Sequence, residues 1–357
     1  MLINVLKILI PSTLAFFIGL SITPFLTHYL YKYKMWKKKS GKISPDGREA
    51  KIFNALHKDK ETGTPRFGGI IIWSSVLITV FFIWLLAYIF PNDITTKLNF
   101  LSRNQTWLPL FTLICASLLG LLDDFMQVFG KGDYVKGLDF SKRLFVVVLI
   151  GLVGGWWFYN KLEMYYLDIP FYGEIFIGWL IIPLFISVML ALFSSGVIDG
   201  LDGLAGGIMT IIFSAYAIIA FSQNQIDLAA FSAVVAGATL AFLWFNIPPA
   251  RFYMSETGIL GLTTTLTVVA FLTGNILFLP IIAFPLFATS ASVIIQLTSK
   301  KIRKGKKIFL VAPLHHHFEA IGWPAYKVVM RYWIVGMIFA SIGIILFMLD
   351  NVLGKIS

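Results

Sequence analysis

The chain has one cysteine, Cys115, in 357 residues, and only 13% of its residues are charged. A single thiol inside an apolar run excludes an intramolecular disulfide and leaves no partner thiol for redox chemistry. Soluble domains are about a quarter charged, so this composition excludes an ordinary water-soluble enzyme, and its apolar content excludes a disordered chain. Acidic residues are the scarcer sign, 18 against 29 Lys and Arg, which gives a formal net charge of +11. There is no Walker A pattern, no calcium-loop spacing, no internal repeat and no low-complexity tract. What fills the chain instead is apolar: 58% hydrophobic residues, with 33 Phe and 10 Trp, and a mean hydropathy of +0.82.

A helix that crosses a bilayer needs roughly 20 mostly apolar residues. Ten stretches qualify, near 6–30, 68–90, 107–122, 144–159, 175–197, 204–222, 228–245, 258–274, 277–298 and 332–349. The first reads as a span rather than a cleaved leader, because its apolar stretch is long and a dense Lys block follows it. The expected fold is therefore an all-α polytopic membrane protein of about ten transmembrane helices, one domain over 1–357. Segments after the odd-numbered spans hold 24 of the 29 Lys and Arg, and the other set holds Lys7, Lys97, Arg103, Lys161 and Lys355. Cytoplasmic loops carry the basic excess, so the first set is expected in the cytoplasm and both termini outside. The clusters Lys37–Lys39 and the run from Lys300 to Lys307 lack interleaved aromatics and a recognition fold. They argue for anionic membrane lipid as the contact and against nucleic acid.

Four of the expected cytoplasmic segments place unusual polar residues beside a span. The third span closes on Gly120-Leu-Leu-Asp123-Asp124, and the fifth leads into Asp199-Gly-Leu201-Asp202-Gly203. The seventh is followed by Asn246-Ile-Pro-Pro-Ala-Arg251-Phe-Tyr253-Met-Ser255-Glu256, and the ninth by Pro313-Leu-His315-His316-His317-Phe-Glu319. Carboxylates at a bilayer edge are costly unless paired, hydrated or metal-bound. An Asp pair at a helix C-terminus also opposes the macrodipole and calls for a nearby cation. Oxygen ligands with few thiols or imidazoles suit Mg²⁺, which shares its shell with water and phosphate. Three adjacent histidines rarely all point at one ion, and their basic surroundings favour phosphate contacts. A cation-rimmed, Mg²⁺-bearing pocket at a membrane edge suits a diphosphate substrate and a partner with a lipid tail.

These motifs, in this order along almost the whole chain, resemble the polyprenyl-phosphate N-acetylhexosamine-1-phosphate transferases. The resemblance rests on Thr64-Pro65-Arg-Phe-Gly68-Gly69, the Asp123-Asp124 pair, Asp199-Gly-Leu-Asp-Gly-Leu-Ala, Phe242-Leu-Trp-Phe-Asn246, and the stretch from Ala312 to Trp333. The last is similar to the branch whose donor carries a muramoyl-pentapeptide. What the resemblance implies is transfer of phospho-MurNAc-pentapeptide from UDP-MurNAc-pentapeptide to undecaprenyl phosphate, giving lipid I and UMP at the cytoplasmic face of the plasma (inner) membrane. It implies catalytic roles for Asp123, Asp124, Asp199 and His316, with Asp123 engaging or deprotonating the lipid phosphate. It implies a Mg²⁺ cofactor held by Glu256 and Asp124. Thr64, Leu201, Asp202, Asn246 and Tyr253 are the implied donor-binding residues, Tyr253 by stacking on uracil, with His315, His317 and Arg143 at the phosphate or sugar end. A homodimer is the assembly that the family allows.

The chain also departs from the family pattern. Glu256, preceded by Ser255, replaces an Asp preceded by Gly, and Gly196 stands where an Asn is expected. Gln127, Glu61 and Arg143 stand at three positions where the family has Lys, with Lys60, Lys131 and Lys142 near enough to substitute. A carboxylate longer by one methylene moves a bound ion unless its loop compensates, and errors near 1 Å can cost ~10²-fold in rate. Two alternatives therefore stand beside the main expectation. One is a related transferase using another UDP-sugar, and the other is a catalytically impaired lipid-binding or scaffold homologue.

Overall fold

The computed structural model describes residues 1–38, 62–102, 105–130 and 137–353. Helix α1 (Leu2–Lys32) is followed by α2 (Gly69–Ile89), the short α3 (Asp93–Leu98), α4 (Trp107–Phe129) and α5 (Phe140–Asn160). An antiparallel hairpin, β1 (Tyr166–Ile169) and β2 (Gly173–Phe176), leads into α6 (Ile181–Ser195), α7 (Leu204–Ser222), α8 (Ile226–Asn246) and α9 (Ser255–Leu272). Then come α10 (Leu279–Ile282), α11 (Phe284–Ile302), α12 (Leu314–Ala320) and α13 (Ala325–Leu353).

Among the described residues, nine helices are long and apolar enough to cross a membrane, not ten. The difference lies at 277–298, where the sequence suggests one span and the chain breaks at Ala283 into α10 and α11. Pro280 and Pro285 each occupy a first helical turn, where the missing proline N–H costs nothing, and neither lies inside a span. Helix α11 also runs on into Lys300 and Lys301, which shortens its apolar length.

Small residues decide which helices are central. The apolar window of α9 is 89% buried inside the protein, against 17% for α1. Thr263 and Thr264 of α9 return their hydroxyls to the carbonyls of Ile259 and Leu260, at 2.8 and 2.7 Å, so neither of these two hydroxyls is stranded by burial. On α8, alanines and Gly237 let α1 approach backbone to backbone, and Ser12 Oγ donates to the Ala233 carbonyl at 2.7 Å. Close packing on small residues is the usual basis of helix association in lipid. Large aromatics such as Phe81, Trp84 and Tyr88 of α2 are exposed on the outside of the bundle, where lipid is the natural solvent.

Two contacts tie down the end of the bundle opposite the carboxylates described below. Lys7 near the start of α1 pairs with Asp227 at the start of α8, and Asp350 near the end of α13 accepts the backbone N–H of Phe171 in the hairpin turn. At the other end, a polar stripe on α11 holds the loop that delivers the histidines. Gln296 accepts the N–H groups of Ile308 and Phe309 and donates to the Phe309 carbonyl, while Ser292 accepts the Leu314 N–H at 2.9 Å.

Candidate active site

Helix α4 does not stop at the Asp pair, where the sequence places the end of the third span, but runs on to Phe129. The apolar pattern continues through Phe125 and Phe129, whose rings meet at 4.8 Å. The two carboxylates thus sit on a continuing helix, and two arginines rather than a helix terminus set their charge balance. Asp124 is 0% exposed. Its Oδ1 accepts Arg66 Nε and Nη2 at 3.0 and 2.9 Å, and its Oδ2 accepts the Thr257 N–H and hydroxyl at 2.9 and 2.6 Å. Four donors therefore saturate this carboxylate. Burial pushes the Arg66 pKa down, but the carboxylates of Asp124, then Glu256 and Asp199, raise it by more, so the guanidinium stays charged.

Asp123, 1% exposed, is held differently. It accepts Gln127 Nε2 at 3.0 Å and the Leu138 backbone N–H, and its Oδ2 lies 3.6 Å from Arg143 Nη1. The same Nη1 is 2.5 Å from Glu256 Oε1, and Arg143 Nε donates to the Leu138 carbonyl at 3.1 Å. Arg143 thus bridges two carboxylates from α4 and α9, and Gln127, four residues on along α4, partners Asp123. The approach of α9 depends on Gly120, because a Cβ there would stand 2.1 Å from the Glu256 carbonyl oxygen. Gly120→Ala is expected to destabilise the protein by about 1–3 kcal/mol, seen as a lower thermal unfolding midpoint in detergent. An unchanged midpoint would show that the start of α9 can retreat.

The Asp199–Gly203 loop lies against the same cluster. Asp199 Oδ2 accepts the Ser255 N–H at 3.0 Å, and Asp202 Oδ2 accepts the Ala250 N–H at 3.2 Å. Asn246 is a buried brace: its Oδ1 accepts the Gly203 N–H at 2.8 Å and its Nδ2 donates to the Phe252 carbonyl at 2.9 Å. Leu201 is buried, and Trp333 Nε1 donates to the Gly203 carbonyl. A Cβ at Gly200 would stand 2.4 Å from His315 Nε2 and 2.9 Å from His316 Nε2, so glycine lets both imidazoles lie on this loop. His316 Nδ1 is 2.7 Å from Glu319 Oε2. His317 turns away, taking the Leu310 N–H and packing on Phe309, so two of the three histidines reach the carboxylate loop.

The Thr-Pro segment joins the cluster by main-chain pairing. The Pro65 carbonyl accepts the Tyr253 N–H at 2.8 Å, and Gly68 N–H donates back to the Tyr253 carbonyl at 2.9 Å. Thr64 and Tyr253, both half-buried, therefore stand on adjacent segments beside Arg66. Lys60, Glu61 and Lys131 lie outside the described residues. Sequence reasoning gave no role to Arg66 or Thr257, the two partners of Asp124. The available signal was the charge of Arg66, the last charged residue before the apolar run of α2.

Among the described residues, no three of the His, Cys, Asp and Glu side chains converge as a ready-made metal cage. Mg²⁺ rarely needs one: it binds through one or two carboxylates, completing its shell with water and substrate phosphate. Glu256, whose side chain is 24% exposed, suits that role, and the oxygen chemistry of the cluster fits the ion.

The profile of glycosyl transferase family 4 matches residues 106–274. A phospho-N-acetylmuramoyl-pentapeptide-transferase of Anoxybacillus flavithermus is 35% identical over 94% of this chain and 97% of its own length. Proteins of the same name from Geobacillus sp. and Chloroflexus aggregans are 35% and 31% identical, covering 93% and 95% of this chain and 95% and 89% of their own.

Proposed function

The chain belongs to the phospho-N-acetylmuramoyl-pentapeptide-transferase family, and from that membership we propose that it transfers phospho-MurNAc-pentapeptide from UDP-MurNAc-pentapeptide to undecaprenyl phosphate. The products are lipid I, for peptidoglycan synthesis, and UMP. The observation that carries this reading is the meeting of Asp123, Asp199 and Glu256 with Arg66 and Arg143 at one end of a membrane bundle. The active site faces the cytoplasm of a plasma-membrane protein, on the side that the basic excess marks.

Phosphoryl transfer asks the protein for position and charge rather than covalent chemistry. Asp123 receives the proton of the acceptor phosphate or holds that group in line. The acceptor oxygen then bonds to the β-phosphorus as the bridging bond to UMP breaks. Tyr253, Thr64, Leu201 and Asp202 surround the uridine, and His315 and His316 meet the phosphate or sugar end. Mg²⁺, held by Glu256 with Asp124 acting through its charge, would supply neutralisation of the diphosphate. An apolar cavity of about 280 Å³, lined by Phe284, Leu314, Trp323, Tyr332 and Val335 with Arg331, suits part of the prenyl chain. Its Tyr332 ring lies 6.4 Å from His315, which connects the cavity to the histidine pair.

Membranes containing the protein, given UDP-MurNAc-pentapeptide, undecaprenyl phosphate and Mg²⁺, are expected to form lipid I and release UMP. A folded protein that makes neither product would refute the proposal, and exclusive use of UDP-GlcNAc would favour the related transferase. In the same assay Glu256→Asp should retain or raise activity, while Glu256→Gln should lose the response to Mg²⁺. Equal rates and equal Mg²⁺ curves for all three would remove Glu256 from the metal shell.

A further inference from the structure

Four carboxylates, Asp123, Asp124, Asp199 and Glu256, are drawn together here with two guanidinium groups, so the cluster is net negative before any diphosphate arrives. A nucleoside diphosphate needs cationic donors at such a site, and the basic groups around the cluster differ in how fully they are committed. Arg143 spends Nη1 on Glu256 and Asp123, and Nε on the Leu138 carbonyl. Lys327 and Arg331 lie over the Trp323 ring, at 5.6 and 4.0 Å from its centroid. Arg66 also commits two of its nitrogens, but to one carboxylate rather than to two and a carbonyl. Of the five N–H donors of a guanidinium, the one on Nε and one of the two on Nη2 go to a single oxygen, Asp124 Oδ1. Among the described residues its remaining side-chain donors have no protein acceptor, although the side chain is only 15% exposed.

Its backbone is fixed as firmly as its head. Arg66 N–H donates to the Met35 carbonyl at 2.9 Å, and Pro65 before it pairs with Tyr253. Resting on the functional reading above, we propose that Arg66 is a donor-side phosphate clamp, anchored by Asp124 and presenting its other N–H groups to the diphosphate of the nucleotide-sugar. Asp124 serves it as an orienting anchor, and the planar fork can hold a carboxylate on one edge and phosphate oxygens on another. A lysine has one ammonium to divide between those tasks.

The test is binding of uridine and of UDP to the purified full-length protein in detergent, by calorimetry in one Mg²⁺-containing buffer. The wild-type chain is expected to bind UDP more tightly than uridine. Arg66→Gln should weaken UDP by about 10- to 100-fold, the loss of charge-assisted phosphate contacts, and leave uridine within about twofold. Arg66→Lys should fall between, and its UDP-to-uridine ratio decides the matter if Arg66→Gln does not fold. Equal weakening of both ligands would reduce Arg66 to a structural strut, and unchanged UDP binding would remove it from the phosphates. Either result overturns this inference while leaving the functional proposal standing. A folded wild-type chain that binds neither ligand overturns both.

Discussion

Asp123→Asn is expected to lower turnover by about three orders of magnitude, within the ~10²–10⁴-fold that a positioned acid or base contributes, while the protein stays folded. The fold should survive because asparagine is nearly isosteric and can keep the Leu138 N–H bonded. Gln127 can turn its amide to receive the new NH₂ group. Turnover should not survive, because the side chain no longer accepts a proton and no longer offers charge to Arg143, which is left to Glu256 alone. The check pairs the lipid I assay with UDP binding, which should change little if Asp123 serves the acceptor rather than the donor. A rate within tenfold of wild type would assign the proton to another group. Loss of UDP binding would move Asp123 to the donor side.

Much of this architecture was legible without coordinates, and the exceptions have physical causes. Apolar length marks spans well, so nine of the ten expected stretches reappear as helices that can cross a membrane. The tenth misled because hydropathy averages over Pro280 and Pro285, which divide the segment at Ala283 while leaving it apolar. The hairpin at 166–176 went unmarked because its strands are only four residues each and the second runs into the apolar stretch read as the fifth span. In the site, acidic residues beside spans were conspicuous, since a membrane tolerates them only with partners. The partners themselves were harder to see. Arg66 is 58 residues from Asp124, and Thr257 is 133 residues away. Nothing in local spacing links residues so far apart, and only the packing of α2, α4 and α9 unites them. The histidine triplet shows the converse limit: three adjacent residues look alike in sequence, yet helix α12 sends two toward Gly200 and one toward Phe309.

Asp124→Ala should remove about 3–5 kcal/mol of stability, the range for breaking a buried ion pair by deleting one partner. Alanine would strand the Arg66 guanidinium together with the N–H and hydroxyl of Thr257, all in a site where Asp124 itself is 0% exposed. It would also release the Thr-Pro segment and the start of α9 from α4, so turnover should be lost as well. Unfolding of the purified protein by SDS would measure the first effect and the lipid I assay the second. The double variant Asp124→Ala, Arg66→Met separates them. Replacing both members of a buried pair by apolar groups is often near neutral, so the double variant should be more stable than Asp124→Ala alone. It should not regain activity, because the anchor and the phosphate-facing donors are both gone. Recovery of stability without turnover would mark the pair as kept for chemistry rather than for folding. A double variant as unstable as Asp124→Ala would instead place the cost in Thr257 and the start of α9.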